Sequence, residues 1–335
     1  MTAPGTHMAR ELAEAPIVFA RTLQTAMSEP DAARLAQLRP RAFYTIARGS
    51  SDAAASILAY EFMRETGLPA TSLPPSIFSV GRGVDLSGAV ALVISQSGAS
   101  QDLVLSAEGA RARGAMVVAL VNQPGSPVTR HADVTIPIGA GPEQAVPATK
   151  SVTGSIAAGM VLLSQLVPGY ARRALASAAA FAAPLPALPQ APAIVAALRR
   201  AAHVYVIGRD TGFGAAQELA LKLKETCALH AEAYSASEVL HGPLQLVTNP
   251  LLILILDTGQ PDIQAALDTA EARFVAAGGV TFRLRPSDVG AANLTPAAAA
   301  ALLLCLTYPL VLQTARALGH DPDRPETLSK VTQTV

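Results

Sequence analysis

The chain has 335 residues, half of them hydrophobic but only 4% aromatic, and 25 Lys and Arg balance 25 Asp and Glu. This length favours two domains with large aliphatic cores. Zero net charge excludes a basic field that would hold nucleic acid or an anionic membrane, so any anionic ligand must be held locally.

At the N-terminus, MTAPGTHMAREL lacks the charged-then-apolar order of a secretory signal, and the expectation is a cytoplasmic protein. Residues 8 to 28 read as an amphipathic packing helix ended or kinked near Pro16. From residue 43 the chain repeats itself. FYTIARGSSDAAASILAYEFMRETGLPA (43 to 70) aligns without a gap on VYVIGRDTGFGAAQELALKLKETCALHA (204 to 231), an offset of 161 residues. The same offset lays ALVISQSG (91 to 98) on LILILDTG (252 to 259). In each copy a short apolar run ends in a Gly-containing turn and continues with helical period, through Ala54, Ile57, Leu58 and Phe62 in the first and Ala215, Leu219 and Leu223 in the second. Second strands follow at 89 to 94 and 251 to 256, and third strands within 114 to 122 and 278 to 285.

Near-continuous Val/Ile/Leu strands alternating with helices predict an α/β fold of two doubly wound parallel-sheet lobes. The expected division is a helical segment over 1–30, a first lobe over 31–180, a Pro-rich extended linker over 181–193 and a second lobe over 194–335 with a C-terminal tail. The most apolar tract, 297 to 312, is shorter than the roughly 20 residues that cross a bilayer and reads as a buried helix. Cys227 and Cys305 have no ligand-spaced partners, so both read as core residues, and neither a metal nor a cofactor is expected.

Ligands of doubly wound sheets bind beyond the carboxyl ends of the strands. Ser95, Gln96, Ser97 and Ser100 occupy that place, with Ser50 and Ser51 facing the same crevice. They make either a neutral phosphate cradle, needing no lysine or arginine, or a serine cap on the next helix. The second copy carries Leu256 and Asp257 where the first has Ser95 and Gln96, and a carboxylate there would repel phosphate. The difference favours the cradle, in the first lobe alone. Lys222 and Glu225 share a helix face, which fits an ordinary ion pair or a catalytic pair. Their helix runs into HAEAYSASEVLHGP (230 to 243), read as a polar loop holding His230, Glu232, Glu238 and His241. Because that helix starts at a strand end, Glu225 is expected near the sugar carbons, where a carboxylate could move a proton between C1 and C2 and a histidine could open the ring.

These motifs, with MARELAEAP (8 to 16), VPATK (146 to 150) and DPDRPETLSKVTQTV (321 to 335), resemble the tandem sugar isomerase (SIS) domain family, most closely the isomerase half of the glutamine-fructose-6-phosphate aminotransferases. The resemblance covers essentially the whole chain and implies SIS, flavodoxin-like lobes. It implies that Ser51, Ser95, Gln96, Ser97 and Ser100 bind phosphate and that Val146 lines the sugar site. Glu225 would transfer the proton with help from Lys222. His241 would open the ring from the neighbouring subunit of a dimer, and Lys330 would engage the open-chain carbonyl, as an imine. Ala148 stands where the family usually has a serine, and the protein is expected to work without a glutaminase domain. The first expectation is therefore a glucosamine-6-phosphate deaminase acting on a phosphorylated amino sugar. Alternatives are an isomerase/aminotransferase using external ammonia, a fructosamine-6-phosphate deglycase, an enzyme of galactosamine 6-phosphate and a non-catalytic phosphosugar sensor.

Overall fold

The computed structural model describes residues 3–330. Two helices, α1 (Thr6–Leu23) and α2 (Glu29–Ala36), precede the first sheet. That sheet and its helices run β1 (Phe43–Ile46), α3 (Ser50–Thr66), β2 (Ala70–Ser72), α4 (Ser76–Ser79), β3 (Val90–Ser95), α5 (Gln101–Ala112), β4 (Met116–Val121), β5 (Val134–Pro137) and α6 (Lys150–Leu166). After α7 (Tyr170–Ser177) and α8 (Ala191–Leu198) come β6 (His203–Gly208), α9 (Thr211–Cys227), β7 (His230–Ser235), β8 (Leu252–Leu256), α10 (Gln264–Ala276), β9 (Val280–Leu284) and α11 (Pro296–Ala317).

Both sheets are parallel throughout, in the orders β2-β1-β3-β4-β5 and β7-β6-β8-β9. Each is doubly wound about its first strand, so the switch points lie at β1/β3 and β6/β8. Strands β3 and β8 are buried along their whole length, which is why they read as unbroken apolar runs. Helix α11 is the apolar tract of the sequence, and 89% of its most apolar window is buried in the protein. Both cysteines are free and buried.

Two expectations need correction, and two strands went unread. Pro16 does not end α1, which continues to Leu23 with Pro16 buried inside it. A proline removes one helical N–H, but the buried face of α1 lies against α6 and Thr153 of α6 donates to the Ala15 carbonyl at 3.1 Å. The segment from His230 is not a loop: His230–Ser235 is β7, an edge strand whose mixed burial is masked by its polar residues. Finally, β2 and β5 are strands that the hydrophobic pattern did not announce, because three and four residues carry too little of it.

One hydrophobic cluster joins buried residues of α1, α3, α6, α9 and α11 between the sheets. The outer face of the first sheet packs under α4 and α5, and that of the second under α10. The result is a middle helical layer shared by two sheets. Within it α3 and α9 pack closely, at a glycine: a Cβ on Gly214 would come within 2.6 Å of Ile57 Cγ1 and 3.0 Å of the Ala53 carbonyl. At the other end of the contact, a Cβ on Gly49 would lie 4.0 Å from Leu221. Early residues of α3 thus face late residues of α9, so the helices run antiparallel. The C-terminal half of α9 lies over the carboxyl edge of the first sheet, and the C-terminal half of α3 over that of the second.

Candidate active site

The first crevice is bounded by the turns after β1 and β3. Gly98 takes φ 59°, and a Cβ there would fall 2.1 Å from Ser126 Oγ, so the turn tolerates glycine alone. Its backbone N–H donates to Ser95 Oγ at 3.0 Å, so buried Ser95 also shapes the turn. The Ala99 N–H donates to Ser97 Oγ at 3.3 Å. Ser100 stands at the N-cap of α5, yet its hydroxyl makes no capping bond. The Leu103 N–H in the first turn is taken by Asp102 Oδ1 at 2.9 Å, which leaves the half-buried Gln96, Ser97 and Ser100 as the side chains a ligand would meet. Ser51 is half-buried in the facing turn, and so is Ser50, which lies close enough to the Glu218 carboxyl to favour its charged form.

Opposite these turns lies the C-terminal half of α9. Lys222 is fully buried, with Nζ on the Glu225 carboxylate and 3.7 Å from Glu218. Burial opposes the Lys222 charge, but the two carboxylates outweigh it and hold the ammonium above its usual range. Burial raises Glu218 to about 7 against the pull of Lys222, and Tyr308 donates to it at 3.2 Å. Glu225 is 24% exposed and reaches the crevice. Its position comes from the antiparallel α3–α9 pairing. The expectation from the start of its helix was mistaken, because Glu225 stands at the far end of α9, about 20 Å from the carboxyl edge of its own sheet.

Lys330, the last described residue, lies against the 143–145 segment. Lys330 Nζ donates to the Ala145 carbonyl at 2.6 Å and to Glu143 at 3.2 Å. Burial would raise Glu143, but Lys330, Ser151 and the Thr149 N–H together bring it below the usual carboxylate range. Val146 is half-buried and its N–H donates to the Asp323 carbonyl at 3.0 Å. Asp323 also accepts the N–H groups of His7 and Met8 at the start of α1. Residues 331–335 of the tail motif lie outside the described residues.

His241 is not brought to Glu225 within one chain. It is exposed and lines a recess of about 550 Å³ with Arg209, Phe213 and Glu238, at the opposite end of α9. His230 lies at the start of β7, five residues beyond Glu225, with Nδ1 3.1 Å from that of His203.

The second crevice repeats the layout with the charges exchanged. Asp257 sits where Gln96 does and is wholly buried. It accepts the Gly259 N–H at 2.8 Å and Nε of both Arg283 and Arg285 at 2.9 Å. Arg64, which matches Glu225, binds Asp210 at 2.6 Å and Asp262 at 2.9 Å. Glu61, which matches Lys222, accepts Tyr170 OH and the Ala297 N–H, and burial raises it to about 7.

The SIS domain pattern matches residues 39–165 and 197–281, the two repeated units just described. The chain belongs to the SIS domain family. Among curated relatives, a glutamine–fructose-6-phosphate aminotransferase (isomerizing) of Zymomonas mobilis is 30% identical over 96% of this SIS chain and 58% of its own length. The chain thus spans somewhat over half of that relative. A solved structure from Silicibacter pomeroyi DSS-3, assigned provisionally to the phosphosugar isomerases, is 32% identical with a TM-score of 0.83, covering 95% of this chain and all of the other. A glucosamine-6-phosphate deaminase from Thermotoga maritima shares the fold, with a TM-score of 0.77 at 17% identity over 98% of this chain and all of its own.

Sequence reasoning missed four SIS-crevice residues: Arg48, Glu143, Glu218 and Tyr308. Glu218 left one signal, a spacing of four from Lys222 that puts both on one face. Glu143 and Tyr308 reach the crevice through tertiary packing and left none.

Proposed function

We propose that this SIS protein is a phosphosugar isomerase that releases an amino group, converting glucosamine 6-phosphate and water to fructose 6-phosphate and ammonium. The reading is supported by one observation: α9, which carries the Lys222–Glu225 pair, packs with its C-terminal half against the start of α3, beside the crevice of the first sheet. In this reading the phosphate lies against residues 95–100 and Ser51. Glu225 takes the C2 proton of the open-chain sugar and returns it to C1, leaving an imine at C2 that water hydrolyses to ketone and ammonium. Lys222 orients Glu225, and Lys330 engages the open-chain carbonyl at C1. Sugar phosphates do not cross membranes unaided, so the protein is assigned to the cytoplasm.

His241 acts in a neighbour's site, which makes the functional unit at least a homodimer. Its exposure, and its distance from Glu225 of the same chain, support this. The test is ammonium release and C2 deuterium exchange across a panel of 2-amino-2-deoxyhexose 6-phosphates. Release from one epimer is expected. Binding without release or exchange would make the protein a phosphosugar sensor instead. The likeness to the aminotransferases favours a second assay, fructose 6-phosphate with ammonium, which reads the same chemistry backwards.

A further inference from the structure

The cradle was expected to be neutral, yet a cation stands between its two turns. Arg48 ends the run after β1, and its carbonyl accepts the N–H groups of Ser51 and Asp52. Its Nε donates to Asp102 Oδ2 at 2.9 Å. Asp102 lies in the first turn of α5, directly after the serine turn, and is wholly buried. The ion pair therefore spans the β1–α3 and β3–α5 turns that bound the crevice. Only Nε is engaged: Nη1 and Nη2 have no partner among the described residues, and the Arg48 side chain is 49% exposed. The other two cations of the crevice already have carboxylate partners, Lys222 in Glu218 and Glu225, and Lys330 in Glu143.

We infer that Arg48 is a further substrate-binding residue, donating from its free Nη groups to the phosphate of the sugar, with Asp102 as the residue that positions it. This rests on the reading of residues 95–100 as a phosphate cradle. A phosphate dianion entering the crevice meets the carboxylates of Glu225 and Glu143, and Arg48 offers charged donors that no internal group consumes. Swinging away from Asp102 would strand a buried carboxylate, so the guanidinium is fixed before the ligand arrives. A planar fork held by one nitrogen leaves two others pointed one way, an arrangement suited to phosphate oxygens.

Arg48→Ala alone would leave Asp102 unpaired and lower stability, so the informative variant removes both charges. Binding of fructose 6-phosphate and of inorganic phosphate is measured by calorimetry for wild type, Arg48→Gln/Asp102→Asn, Arg48→Lys and Ser97→Asp, with thermal melting as the folding control. The double variant is expected to melt near wild type and to bind both probes about 10- to 100-fold more weakly. Arg48→Lys, which keeps the charge but loses the fork, should fall between. In turnover the loss belongs in KM, with kcat retained, because the phosphate contact is the same in ground and transition states. A folded double variant that binds as tightly as wild type overturns the inference and leaves the pair as a brace between turns. If Ser97→Asp abolishes that binding in the same series, the cradle stands and only the role of Arg48 falls. If wild type binds neither probe, cradle and Arg48 fall together.

Discussion

At the position of Glu225, an ion-pair partner and a proton-transfer base look alike in sequence, and only a substitution separates them. Glu225→Gln keeps size and most hydrogen bonding but removes the base. Expected is a fall in kcat of roughly 10²- to 10⁴-fold, with fructose 6-phosphate affinity and the melting temperature little changed. Lost stability with activity kept per folded molecule would assign it to structure. Glu218 makes a separate forecast about pH. Its carboxyl is raised to about 7 when folded, so the folded state holds a proton that the unfolded chain releases near the ordinary carboxylate value. The stability attached to that proton is fully present below about 4.5 and is lost as pH rises through about 7. Glu143 and Asp257 are lowered instead, and their contribution disappears as pH falls through their folded values. Glu218→Gln should therefore flatten the decline of the melting temperature between about pH 5 and 8 while leaving the acid limb unchanged. An equally steep decline in the variant would refute the assignment.

Elements differ in how much of themselves they print in the sequence. Strands β3 and β8 were legible because burial on both faces demands an unbroken apolar run. Edge strand β7 was not, since its exposed positions are free to carry His230 and Glu232. Helix α9 was legible as a helix, but its direction against α3 was not, because antiparallel packing across 150 residues of chain leaves no local period. That one gap misplaced Glu225 relative to its own sheet. Gly214 is the residue on which the pairing turns. Gly214→Val would put side-chain atoms against Ile57 and the Ala53 carbonyl, destabilising the protein by roughly 1 to 3 kcal/mol, the usual cost of overpacking. Because Lys222 and Glu225 ride on the same helix, kcat should fall as well. Urea unfolding with a parallel activity assay on the folded fraction reads both, and a neutral Gly214→Val would show that the helices can move apart freely.

Across the whole molecule, the two parallel-sheet lobes could be read from the repeat, whereas the surroundings of Lys222 and Lys330 could not, since Glu218 and Tyr308, or Glu143 and Lys330, come together only in three dimensions. The separation of His241 from Glu225 predicts complementation. Inactive Glu225→Gln and His241→Ala proteins, mixed under conditions that exchange subunits, should regain part of the wild-type rate. No recovery after verified exchange would remove His241 from the mechanism.

The two crevices also differ in what an anion would encounter. In the second, the Asp257 carboxylate is joined to the turn it neutralises, so its local concentration is one that no dissolved phosphate approaches. Dilution cannot remove it and added salt cannot easily compete with it. The duplicated lobe is thus occupied permanently by its own backbone neighbour, and a phosphate titration should saturate at one equivalent per chain however high the concentration is taken.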